Sequence, residues 1–114
     1  YSIDNYLSDY NLMVEVMGDY WHRNPLFYDY EINDMQKRSL RKDKAKHTYI
    51  KKYYEIEILY LWENDIYHNL DVCKKLIQLY IEQKGMINNY HSFNYYIEDN
   101  QLLLSNNIIN TAYW

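Results

Sequence analysis

From Leu12 to Met17 the chain alternates, with Leu12, Val14 and Val16 against Met13, Glu15 and Met17. A period of two is that of a half-buried strand, which sets Glu15 on the face opposite Val14 and Val16. Residues 55–62 predict a second strand, in which Ile56, Ile58, Tyr60 and Trp62 alternate with Glu57, Leu59 and Leu61. It is apolar on both faces toward its end, as a central strand covered by helices should be. Between the two, residues 33–53 hold no Gly or Pro and predict a helix capped by Asn33 or Asp34 and running to Tyr53. Its apolar stripe is weak. Met35, Ala45, Tyr49 and Tyr53 roughly share a face, and Ser39, Asp43, His47 and Ile50 share another. A further helix starts after Asn69 or Asp71 and ends at Gly85, with Val72, Leu76, Leu79 and Tyr80 on the face that packs on the sheet. Upstream, a turn at Tyr10-Asn11 folds residues 1–7 back on 12–17 as a hairpin. Residues 26–34 read as a loop. The tail, Leu102-Leu103-Leu104 and Ile108-Ile109, reads as one short strand plus an end able to pack on a partner. The expected architecture is a single α/β domain over 1–114, a mixed β-sheet flanked by helices. The chain starts at Tyr1 rather than Met, so it is read as a possible piece of a longer one.

Composition changes this picture little. With 48% hydrophobic and 25% charged residues the chain is globular rather than disordered. Its sixteen tyrosines could stack on bases, but compositional bias explains them better. Cys73 is the only cysteine, so there is no intramolecular disulfide, which suits a reducing compartment. No apolar run is long enough for a membrane span. The net charge of −4 argues mildly against a nucleic-acid partner, but its distribution argues the other way. Eight of the twelve Lys and Arg fall within residues 37–52, beside one acid, Asp43. Phosphate contacts are short-range in salt, so this local density outweighs the total.

The chemistry concentrates after the first strand, in Gly18-Asp19-Tyr20-Trp21-His22-Arg23-Asn24-Pro25. Gly18 is one of two glycines and is expected to give backbone freedom where the strand breaks. Glu15, Asp19 and His22 thus emerge at one strand end, each able to hold a metal or move a proton. A solvent-facing glutamate, a turn aspartate and a surface histidine would read the same.

Gly-Asp-Tyr-Trp-His followed by Asn-Pro, after a strand carrying an acid, resembles the core of the very-short-patch-repair endonucleases. It is closer still to their relatives with the EDxHD signature among phage and intron-borne homing endonucleases. Both are branches of the PD-(D/E)xK superfamily, and the resemblance implies a restriction-endonuclease-like fold. It also implies that Asp4 is the first acid of the motif, with Asp9 a competitor, and that Glu15 is the second. Two residues on, where the superfamily has a lysine, stands Met17, which can neither polarise water nor hold a phosphate. In these branches histidine chemistry takes over, which makes His22 the proton-transfer group and Asp43 the helical aspartate that orients it. Asp19 would be a second carboxylate or hold His22. Trp21 would wedge against DNA or pack in the core. Glu63, after Trp62, would support the site or only cap the sheet. The resemblance is close over roughly residues 1–70. Residues 89–95 resemble a segment that follows the core in some EDxHD-like proteins, with no chemistry to attach. His47 is expected at the surface and His91 in a structural role.

The function these readings imply is Mg²⁺-dependent hydrolysis of a DNA phosphodiester, with Mn²⁺ as a substitute. Asp4, Glu15 and the Val16 carbonyl, with waters, would hold the metal, and His22 would serve as base or acid. Lys37, Arg38, Arg41, Lys42, Lys44 and Lys46 would grip the backbone. Partners would be DNA, a second copy for double-strand cutting and a fused or separate targeting module, in the cytoplasm of a bacterial or phage-infected cell. Two other classes stay open. One is a nuclease-like fold that only binds nucleic acid or a partner. The other is a metal enzyme or structural metal site built from His22, His47 and acids, for which zinc would be the ion.

Overall fold

The computed structural model describes residues 5–20, 22, 24–26 and 33–109. Asp4 and Trp21 lie outside the described residues. Strand β1 (Asn5–Leu7) pairs antiparallel with β2 (Leu12–Met17), joined by the expected turn in which Asn11 takes φ 53°. Helix α1 (Asp34–Tyr54) then carries the chain across to β3 (Ile58–Trp62), which pairs parallel to β2 with Glu15 opposite Tyr60 and Met17 opposite Trp62. A parallel pair needs such a crossover. The result is a mixed sheet in the order β1-β2-β3.

Helix α1 starts where its sequence demands. Asn33 accepts from the Gln36 backbone N–H, and the Gln36 side chain accepts from the Asn33 N–H, a reciprocal capping box. The helix ends at Glu55 with φ 56°, so the strand expected from residue 55 begins only at Ile58. Glu55-Ile56-Glu57 alternates like a strand but serves as helix stop and connection.

Central strands are buried on both faces, and β2 is no exception. Leu12, Val14, Leu59 and Leu61 pack against Cys73, Leu76 and Tyr80 of α3 (Leu70–Glu82). Met13, Met17, Ile58, Tyr60 and Trp62 form a second cluster with Ile50 of α1. Helices therefore cover both sides, and Glu15 is buried on the α1 side rather than solvated. Val16, the residue expected on the apolar face, is instead exposed.

A short helix not expected from sequence, α2 (Glu63–His68), links β3 to α3. Helix α3 stops at Glu82 with two reversing bonds, Lys84 N–H to Ile81 O at 3.0 Å and Gly85 N–H to Tyr80 O at 2.8 Å. Gly85 takes φ +84°, and a Cβ there would stand 2.7 Å from Leu12 Cδ2. Gly18, expected to need special backbone freedom, does not take a positive φ.

Residues 90–92 run along the free side of β3. Tyr60 N–H donates to Tyr90 O at 2.7 Å, and Trp62 N–H donates to Ser92 Oγ at 2.8 Å. Ser92 Oγ donates to the buried Asp65 Oδ2 at 2.7 Å. Residues 89–95 therefore have a structural role, completing the sheet and tying it to α2. His91, expected in a structural role, is buried. Trp62 Nε1–H donates to its Nδ1 at 3.1 Å, and burial lowers its pKa to about 3, so it is neutral with its proton on Nε2.

The tail contains a hairpin where one strand was expected. Strands β4 (Tyr95–Glu98) and β5 (Gln101–Leu104) meet at Asp99 and Asn100, both at positive φ as a two-residue hairpin turn requires. Beyond it, Asn94 bonds both Ile109 N–H and Ile109 O at 2.8 Å, so the end of the described tail is clamped to the domain itself.

Candidate active site

The site grows from the inward face of α1. Steps of three and four residues keep side chains on one helix face, and here that face runs Gln36, Leu40, Asp43, Lys46, His47, Ile50. The apolar stripe expected from Met35, Tyr49 and Tyr53 is instead exposed. Leu40 and Ile50 flank the centre of the true inner face, which is charged and polar. A helix that turns ionisable groups toward a sheet must satisfy them there, because unpaired burial is expensive.

Each group finds a partner. Asp43 Oδ2 lies 2.5 Å from His22 Nδ1 across 21 residues of sequence. The carboxylate fixes the ring with Nδ1–H toward it and leaves Nε2 as the lone-pair nitrogen. One turn on, Lys46 Nζ lies 2.8 Å from Glu15 Oε1. His47, expected at the surface, is half-buried, with Nδ1 2.8 Å from the Tyr60 hydroxyl and Nε2 3.8 Å from Glu57 Oε2. Burial lowers the His47 pKa, opposed by the Glu57 carboxylate. The Tyr60 hydroxyl is driven well above its usual range by burial and by the carboxylates of Glu15, Asp43 and Glu57 around it. Tyr60 therefore keeps its proton and donates to a neutral His47, a structural contact beneath the site.

The loop after β2 is held by buried amides. Asn24, fully buried, donates from Nδ2 to Asp19 Oδ1 at 2.9 Å and accepts from Leu26 N–H. Gln36, also buried, donates to Tyr20 O at 3.0 Å, and His22 N–H donates to Gly18 O at 3.0 Å. Asp19 thus spends a carboxylate oxygen on Asn24, and Asp43 is the acid that meets His22. Glu63 accepts from Asp19 N–H at 3.3 Å and so braces this loop from the start of α2. Sequence reasoning missed Asn24 and Gln36 as site supports. Asn24 stands directly before the proline, where a polar residue signals only a turn.

Of the expected metal ligands, Glu15 and Val16 stand side by side in the last half of β2, before Met17, and Asp4 lies outside the described residues. Among the described residues no three His, Cys, Asp or Glu side chains gather as a metal cluster. Glu15, the carboxylate of the expected set that lies among the described residues, is ion-paired with Lys46. His22 and His47 address different partners, which does not favour a zinc site. Of the six cations expected on the nucleic-acid face, Lys37, Arg38, Arg41, Lys42 and Lys44 are exposed along α1 and Lys46 is turned inward. On the same outer surface Tyr49 and Tyr53 lie 4.6 Å apart, with Lys52 over the Tyr53 ring. No helix among the described residues is long and apolar enough to cross a membrane.

Comparison of the chain with protein-family models, with characterised proteins and with solved structures finds no match.

Proposed function

We propose that this chain is a metal-dependent DNA endonuclease of the PD-(D/E)xK type, akin to the very-short-patch-repair and EDxHD enzymes, with a restriction-endonuclease-like core. The observation that carries the reading is the His22–Asp43 pair, one turn along α1 from Lys46, whose ammonium reaches the buried Glu15 carboxylate. An imidazole oriented by a carboxylate, beside a second acid at a strand end, is suited to moving a proton next to a charged substrate.

In this reading Asp43 holds the Nδ1–H of His22 and stabilises the imidazolium that forms when Nε2 takes a proton. Water attacks phosphorus as Nε2 removes its proton. A new P–O bond forms, the bond to the leaving deoxyribose oxygen breaks, and that oxygen is protonated from solvent or from the imidazolium. Glu15, the Val16 carbonyl and Asp4 would hold Mg²⁺ or Mn²⁺, which when bound supplies charge neutralisation at the phosphate. The exposed basic side of α1 grips the backbone, and Glu63, Asn24 and Gln36 keep the His22 loop in place. One domain makes one cut, so a double-strand break takes a second copy, and a targeting module would choose the site. The family resemblance implies action in the cytoplasm of a bacterial or phage-infected cell.

The test is incubation with supercoiled plasmid. Nicking that requires Mg²⁺ or Mn²⁺ and stops with EDTA supports the reading. Folded protein that binds DNA but cuts no substrate with any divalent ion refutes it in favour of a binding module.

A further inference from the structure

Helix α1 has a second face, turned away from the sheet. Asp43, Lys46 and His47 meet His22, Glu15 and Tyr60 on the inner side. At about 3.6 residues per turn, Arg41, Ala45 and Lys52 stand about half a turn round the helix from Asp43. There they line a groove with Lys44, Tyr49 and Tyr53, all of them exposed. Among the described residues no acid lines that groove. The acids of α1 are Asp34, in its first turn, and Asp43, which faces His22. Arg41 has Lys37, Arg38 and Lys44 three or four residues away, a spacing at which like charges destabilise a helix. A face that met only water would be more stable with glutamates among its lysines.

The two rings are an independent observation. Tyr49 and Tyr53 are 41% and 62% exposed, with centroids 4.6 Å apart. Lys52 Nζ stands over the Tyr53 ring, 5.4 Å from its centroid. So much exposed aromatic surface adds little to the core. Compositional bias accounts for many tyrosines, but it does not set two of them together in an acid-free cationic groove. The cations call for a polyanion, and the rings call for flat apolar surfaces on it. A duplex keeps its base faces stacked inside and offers phosphates and base edges. An unpaired strand offers phosphates and bare base faces together.

We infer that the outer face of α1 is a separate nucleic-acid surface that takes a single strand, stacking bases on Tyr49 and Tyr53 while Arg41, Lys44 and Lys52 hold its phosphates. A base laid on Tyr53 displaces the Lys52 ammonium from the ring to the adjoining phosphate. This goes beyond the nuclease reading and does not need it. The groove faces away from the His22–Asp43 pair, so the stretch of strand lying in it is not the one that pair would cut.

The experiment is fluorescence anisotropy in EDTA, so that nothing is cut. The probes are a labelled oligothymidylate of about 15 nucleotides, near the upper end of single-strand site sizes, and a duplex of the same length. Wild type is compared with Tyr49→Ala, Tyr53→Ala, Tyr53→Phe and Arg41→Gln, all at exposed positions and each checked as folded by circular dichroism. Wild type should bind the single strand more tightly than the duplex. Each alanine should weaken single-strand binding by about 5- to 150-fold, and Tyr53→Phe, which keeps the ring, should stay within about twofold. Arg41→Gln should reduce the salt slope of single-strand binding by about 0.7, the share of one phosphate. An oligouridylate run alongside tells whether the strand is DNA or RNA, and a preference for either upholds the inference. Alanine variants that bind the single strand as wild type does would leave only a cationic surface and overturn it. Equal losses on single strand and duplex would overturn it too, as would wild type that binds neither oligonucleotide but sediments with phosphatidylserine vesicles. Wild type that nicks plasmid in Mg²⁺ yet binds no single strand sinks this inference alone, and wild type that binds the strand through both tyrosines but cuts nothing sinks only the nuclease reading.

Discussion

Replacing Asp43 by asparagine removes one charge from the centre of the site and almost no volume. The lost interaction is a hydrogen bond between His22 Nδ1 and a carboxylate oxygen at 2.5 Å, with side chains 26% and 13% exposed. Hydrogen bonds to charged groups are worth about 1.5–3 kcal/mol, which at about 1.4 kcal/mol per decade is a rate loss of about 10- to 150-fold. Solvent reaches His22, which favours the lower half of that range. The fold should hardly notice, because the amide is isosteric and sits at the rim of the core. The assay is single-turnover cleavage of a labelled duplex with enzyme in excess, alongside DNA affinity measured without divalent ion. The rate should fall and the affinity should not. A cycle sharpens the test, because residues acting as one unit are not additive. In a His22→Ala background, Asp43→Asn should change the rate by less than about twofold. Full activity of Asp43→Asn would refute the dyad, as would a loss that persists undiminished without His22.

Two further predictions concern the platform under the site. Ser92→Ala leaves the Trp62 N–H and an Asp65 oxygen without their Ser92 partner in the interior, which should cost about 2–3 kcal/mol; an unfolding free energy from urea titration lowered by less than a quarter of that would show that residues 89–95 do not brace β3. Acid should destabilise the fold through His91, whose folded-state pKa of about 3 lies far below its ordinary value. The unfolded chain takes up that proton as pH falls through about 6.5 and the folded chain does not until about 3, so this contribution is complete above the first value and drains away toward the second. The lowered pKa of His47 acts in the same direction. Unfolding free energies at pH 7.5 and pH 5 should therefore differ less in a His91→Phe variant than in wild type, and equal differences would contradict the assignment.

The parts of the fold that bury apolar side chains at a regular period were legible in the sequence. The strand at 12–17, the core of the strand ending at Trp62 and the apolar helix before Gly85 all belong there, while the helix from Asp34 was legible through its cap and its lack of Gly and Pro. The inner face of α1 was misread for a physical reason. Apolar counting assigns the richest apolar stripe to the core, and here Tyr49 and Tyr53 face outward while Asp43, Lys46 and His47 face the sheet. Such a face is possible only because β2, β3 and the intervening loop supply partners far away in sequence, which no period reveals. The approach of His22 to Asp43 is of that kind, and only family resemblance put the two together beforehand. Residues 89–95 dock through backbone bonds to Tyr60 and a hydroxyl bond to Trp62, which leave no mark on a hydropathy pattern. The β4–β5 hairpin did leave one, Asp99-Asn100, a turn pair flanked by Tyr95-Tyr96-Ile97 and Leu102-Leu103-Leu104.

The decisive measurement is cleavage of a supercoiled plasmid in Mg²⁺ by wild type, His22→Ala and Glu15→Ala, each verified as folded by circular dichroism. If His22, oriented by Asp43, moves the proton beside the Glu15 carboxylate, wild type nicks the plasmid, His22→Ala loses about 10²-fold or more, and Glu15→Ala is inactive. Nicking that survives both substitutions would mean that neither His22 nor Glu15 carries the chemistry.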